Sequence, residues 1–63
     1  MCLSTVYKGT TETEENKLAE YVTGVETDGE TLCFTDITGE ELTLRGRIQT
    51  IDLIKGKIFV VPS

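Results

Sequence analysis

Histidine and tryptophan are absent from this 63-residue chain, and its only aromatics are two tyrosines and two phenylalanines. Without histidine, the commonest imidazole ligand and the commonest general base are both missing. No Ser-His-Asp, Cys-His or phosphate-loop pattern can be assembled from what remains, so the chain is not expected to be an enzyme. Cysteine is scarce as well. Cys2 and Cys33 alone, far apart, exclude a disulfide framework and zinc-finger spacing, and they fit a reducing compartment. No apolar run is long enough to span a bilayer and no leader-like stretch precedes Lys8, so a cytoplasmic location off the membrane is expected. Six basic residues face eleven acidic ones, a net charge of −5, which argues against broad attraction to nucleic acid.

What is present is organised around Met1-Cys2-Leu3-Ser4, which places a thiol within a few atoms of main-chain nitrogen. If Met1 is removed, the amine and thiolate of Cys2 can close a five-membered chelate ring on a metal. If Met1 stays, its amine, the Cys2 amide nitrogen and the Cys2 sulfur form a denser set of the same kind. Nitrogen and sulfur donors of this sort suit a borderline-soft ion that accepts square-planar geometry, Ni(II) or Cu(II), better than magnesium or calcium. The competing reading is that Cys2, like most free cysteines, is a small hydrophobe. Cys33 has a structural or half-exposed thiol as its default.

A chain of 63 residues is one domain, residues 1–63, and so short a chain buries too little surface to be robust alone. Self-association is the expected staple, and a two-fold axis would bring two copies of one surface together.

Alternation predicts a strand over Cys2–Lys8, then a polar loop over Thr10–Lys17 whose Glu12, Glu14 and Glu15 read as a solvated surface. A longer strand, Leu18–Thr27, carries Gly24 as a bulge or bend, and its Leu18–Tyr21 end is compatible with a helical turn. Asp28-Gly29 is a hairpin signal leading into Glu30–Asp36, where Leu32 and Phe34 point to the core and Cys33 away from it. Glu41–Arg45 places Leu42 and Leu44 inward, Gly46 makes a corner, and Arg47–Leu53 follows with a bulge near Gln49 or Thr50. Lys55-Gly56 turns into a last strand, Lys57–Val61, with Phe59 in the core and Ile54 capping it. Five to six short strands with turns every eight to twelve residues imply an all-β fold. A small antiparallel barrel or curled sheet follows, in which the first and last strands lie close.

Taken together, Met1-Cys2-Leu3-Ser4 leading into Val6-Tyr7, Val22-x-x-Val25, Asp28-Gly29, Leu32-x-Phe34, Gly39-Glu40, Gly46-x-Ile48-x-x-Ile51-Asp52-Leu53 and Gly56-x-Ile58-x-Val60 resemble the CooT family. Its members are short proteins beginning Met-Cys, tied to nickel insertion into carbon monoxide dehydrogenase, and the wider group also carries the label of predicted RNA-binding proteins. The resemblance covers the chain apart from the Thr10–Lys17 loop. It implies a small β fold, a homodimer, Ni(II) held by Cys2, and a client such as carbon monoxide dehydrogenase. It does not extend to Cys33 as a ligand.

Two other classes compete with a nickel-binding accessory protein. A small β-barrel can bind single-stranded RNA by stacking bases on aromatics beside a basic groove, here Arg45, Arg47, Lys55 and Lys57. With few aromatics and a negative net charge the footprint is poor. A purely structural dimerisation module would be stabilised by its own concentration and be indifferent to nickel.

Overall fold

The computed structural model describes residues 3–63, and five strands account for most of them. These are β1 (Ser4–Lys8), β2 (Lys17–Asp28), β3 (Thr31–Asp36), β4 (Glu41–Asp52) and β5 (Lys57–Pro62). Successive strands pair antiparallel, and β1 pairs parallel with β5, matching Thr5 with Lys57 through Lys8 with Val60. The parallel pair closes the sheet into a barrel in the order β1-β2-β3-β4-β5. Closure leaves the two sides of β1 and of β5 paired, which removes the exposed edges that an open sheet of this length would present.

Two long strands do the bending. β2 pairs with β1 through its first half and with β3 through its second, and the hand-over falls at Val22, beside a register shift between Val22 and Gly24. β4 is likewise shared between β3 and β5. Gly46, expected to end a strand, instead lies inside β4, buried and at φ +156°. A Cβ there would meet the Val61 carbonyl oxygen at 2.5 Å, so only glycine lets β4 bend this close to β5. The bulge expected near Gln49 is present, since Ile48 pairs with Val60 but Thr50 with Phe59.

Val6, Val22, Leu32, Phe34, Ile58 and Val60 form the buried core, with Leu42, Leu44 and Ile48 packed against it. Two sequence expectations are corrected. Phe59 is not in the core: period two puts Ile58 and Val60 inward, and Phe59 stacks on Tyr7 outside, with ring centroids 5.7 Å apart. Ile54 does not cap the core, being 99% exposed in the β4–β5 turn. The Leu18–Tyr21 stretch is strand, as the expected Leu18–Thr27 strand has it, and among the described residues a 3-10 turn lies earlier, at Glu14–Asn16. Among the described residues no helix is long and apolar enough to cross a membrane.

Candidate functional site

Cys2, the expected ligand, lies outside the described residues, but the chain it is bonded to is firmly placed. Leu3 is exposed, and Ser4, the first residue of β1, is buried against the barrel wall. The Thr5 amide donates to the Gly56 carbonyl oxygen over 2.9 Å. Gly56 adopts φ +68°, and a Cβ on it would stand 2.9 Å from the Leu3 carbonyl oxygen. The β4–β5 turn therefore grips the peptide at Leu3 from one side. It is itself held by Asp52, whose carboxylate accepts from the Ile54 and Lys55 amides. On the other side Ser4 pairs with Val22 of β2.

Beside this grip opens an apolar cavity of 310 Å³, lined by Ser4, Val22, Val25, Ile51, Leu53 and Ile58 among others. Further along the same row of neighbouring strands, Tyr21 sits at φ +58°, a conformation rare for a non-glycine residue. It occupies the extra position where Ser4 pairs with Val22 but Val6 with Ala19, and its carbonyl oxygen accepts from the Ile37 amide over 2.9 Å. Nothing in the residue type announces this bulge. The turn that follows β3 is organised by Asp36, whose carboxylate accepts from the Thr38 hydroxyl at 2.6 Å, the Thr38 amide at 2.9 Å and the Glu40 amide at 3.0 Å. The Thr38 hydroxyl, with these amides, holds the Asp36 carboxyl below the usual carboxylate range.

Cys33 lies on β3, separated from β1 by β2, and the acidic loop is tied down by its own ion pairs. Cys33 is a half-buried free thiol on the outer side of β3, between Glu26 of β2 and Thr43 of β4. It lies three residues along β3 from Asp36, the residue that shares Val22 as a partner with Ser4. Glu12 and Glu14 of the acidic loop each hold a lysine, Lys57 and Lys17 respectively. The hydrogen bond that Lys57 donates to the Glu12 carboxylate, together with the Glu12 charge, raises the Lys57 ammonium above its ordinary value. Among the described residues no three Cys, Asp or Glu side chains converge as metal ligands.

The four basic residues do not make one patch. Arg45 and Arg47 flank Gly46, which pairs with Pro62, whereas Lys55 and Lys57 lie at the opposite end of the β4–β5 ladder, where Asp52 pairs with Lys57. Arg45 meets Glu30 at 3.5 Å on an exposed surface, and Lys57 is engaged by Glu12.

Set beside known families, residues 1–61 match the family model described as CO dehydrogenase accessory protein CooT. No curated protein matches the chain.

Proposed function

The chain belongs to the CooT family of CO dehydrogenase accessory proteins, and from that premise we propose that it carries Ni(II) on the Cys2 thiolate at the interface of a homodimer, for delivery to that enzyme. The observation that carries this reading is the grip on Leu3: the residue next to the thiol is held by the Gly56 turn on one side and leads into the buried Ser4 on the other. The peptide next to the donor is fixed before the ion arrives, so less of its freedom is lost on binding.

The donor chemistry supports the same reading. Cys2 supplies one thiolate and adjoining main-chain nitrogen, a set suited to a square-planar ion of borderline softness. Two copies facing each other complete four donors without histidine. Thiol and nitrogen must lose protons to bind, so affinity rises with pH. Copper(II) would bind such donors more tightly in the usual order of stabilities, so nickel occupancy reflects supply and geometry.

The test is titration of Ni(II) into the wild type and Cys2→Ser, following thiolate-to-nickel charge-transfer absorption. Loss of the band in Cys2→Ser is expected, together with one ion per two chains by intact mass under non-denaturing conditions. A band of undiminished intensity in the variant would rule Cys2 out.

A second reading, single-stranded RNA binding, draws on the Tyr7–Phe59 stack, which lies on the outer wall rather than in the core. Against it stand the divided basic residues and the engagement of Lys57 by Glu12. A salt-dependent mobility shift of labelled single-stranded RNA, abolished by Arg45→Ala with Arg47→Ala, would favour it over the metal.

A further inference from the structure

The connection from Lys8 to Lys17 joins two antiparallel neighbours, β1 and β2, and a connection of that kind needs only to lie between the strands it links. This one leans past β1. Its Glu12 carboxylate pairs with Lys57 of β5, the strand on the other flank of β1. The Gly9 amide donates to the Val60 carbonyl oxygen over 2.8 Å, which starts the loop on the β5 side, and the Glu14–Asn16 turn returns it to Lys17, paired with Tyr7. Midway, the Thr13 hydroxyl is shut off from solvent, so the loop lies down on the barrel instead of standing in water. Lys57 points outward, since alternation sends its neighbour Ile58 into the core. The loop therefore crosses the outside of the parallel β1–β5 ladder, the seam that closes the ring.

We propose that this acidic loop is a strap over the seam, fastened by Glu12 on Lys57, and that its release loosens the β4–β5 turn against the chain start. Such a device acts on the seating of Leu3–Thr5, whatever the chain start binds.

The position of Lys57 gives the strap its leverage. Lys57 directly follows Gly56, whose carbonyl oxygen accepts from the Thr5 amide and whose missing Cβ would stand 2.9 Å from the Leu3 carbonyl oxygen. Its own backbone pairs with Thr5 on one side and Asp52 on the other. A restraint on the Lys57 side chain is thus applied one residue from the contact that seats the chain start. Asp52 does not take over the role of Glu12, because its carboxylate accepts from the Ile54 and Lys55 amides. Among the described residues Glu12 is the carboxylate within ion-pair reach of Lys57.

The fastening is also weak enough to open. The Lys57 side chain is 27% exposed and that of Glu12 43%, so water and counter-ions reach the pair and screen it. Closure leaves the Thr13 hydroxyl buried without a hydrogen-bond partner, which opposes it. An ion pair of this kind, set against an unsatisfied hydroxyl, holds the loop close to balance, and a rise in ionic strength moves it. What stays when the strap opens is the Tyr7–Phe59 stack outside the seam and the Val6–Ile58 pairing inside it. The ring remains shut, and only its turn end loosens.

The test is amide hydrogen exchange followed by NMR in the wild type, Glu12→Gln, Lys57→Met and the double variant, with Glu14→Gln, on the Lys17 side, as control. The Thr5 amide reads the contact between the turn and the chain start. The Gly46 amide, bonded to the Glu30 carbonyl oxygen at 2.7 Å, reads a separate part of the barrel. Thr5 should exchange about twofold to fivefold faster in either single variant, the range of an exposed ion pair. It should be no faster in the double variant, and unchanged in Glu14→Gln, while Gly46 keeps its rate throughout. Raising sodium chloride to about 1 M, where the Debye length is about 3 Å, should quicken Thr5 relative to Gly46 in the wild type but not in Glu12→Gln. Thr5 exchange at the wild-type rate in both single variants would overturn the strap. An equal rise at Thr5 and Gly46 would do the same, as a general loss of stability, and so would effects that add in the double variant, since the two side chains would then act apart. If a variant fails to fold, the salt series on the native chain decides alone: a ratio of Thr5 to Gly46 exchange that salt leaves unchanged rules the strap out.

Discussion

The backbone of Gly56 faces the Leu3 carbonyl: a single added carbon on Gly56 would sit 2.9 Å from the Leu3 carbonyl oxygen, closer than such atoms approach. Gly29 offers a matched comparison, since its φ of +62° is close to the +68° of Gly56 but nothing lies within 4 Å of its missing Cβ. Gly29→Ala should therefore cost only the left-handed backbone penalty, about 1 kcal/mol. Gly56→Ala should cost at least about 1 kcal/mol more, from overpacking against Leu3. Urea titration of the two variants measures the difference, and equal midpoints would mean that the turn does not constrain the chain start. The same displacement predicts weaker Ni(II) binding in Gly56→Ala than in Gly29→Ala.

Gly46 presents a harder case. Its missing Cβ is bounded by the Val61 carbonyl oxygen at 2.5 Å and the Pro62 Cα at 2.8 Å, both backbone atoms of the partner strand that cannot rotate away. Gly46→Ala should lower stability by about 3 kcal/mol, the upper end of the overpacking range. A urea midpoint close to that of wild type would show that β4 can bend without it.

Phe34 is 1% exposed and is the largest wholly buried side chain. Its truncation to alanine removes about 3–5 kcal/mol, against a total stability that is small for a chain this short. Phe34→Ala should be largely unfolded at 37 °C by far-UV circular dichroism. Phe59→Ala, on the outer wall, should remain folded.

The Asp36 turn should soften in acid. Hydrogen bonds from Thr38 and Glu40 favour the carboxylate, so the folded-state value lies below the unfolded one. The stability this group contributes is then fully present above the unfolded value, near pH 4, and is lost as pH falls through the lower folded-state value. The melting temperature of wild type should drop more steeply below pH 4 than that of Asp36→Asn. Parallel curves would remove Asp36 from the acid response.

Most of the architecture was legible because alternation and turn chemistry agree locally. Leu32 and Phe34 share a face, Asp28-Gly29 closes a hairpin, and the mismatch of Ile48 with Ile51 announces the extra residue at Gln49. The last strand was harder to read: Ile58, Phe59, Val60 and Val61 are apolar on both faces, so period two does not say which pair goes inward. The ring closure decides it, since β1 contributes Val6 to the inside and Tyr7 to the outside, where Phe59 meets it. Ile54 misled for a related reason, because an aliphatic residue in a turn signals burial only if a wall is there to receive it. Around the candidate site, Cys2 stood out by its chemistry. The grip of Gly56 on Leu3 did not, because it joins residues far apart in the chain through backbone atoms that carry no compositional signal.

The parallel pairing of β1 with β5 joins the two most remote parts of the chain, Thr5 beside Lys57. Every other ladder is a hairpin between consecutive strands and can form early, whereas this one must wait for the entropy of a nearly full-length loop to be overcome. The seam is therefore expected to close last, and the peptide at Leu3 to take up its seat against Gly56 only then. A nascent or partly assembled chain would leave that peptide unseated, so on the proposed reading retention of Ni(II) would report that the ring has shut.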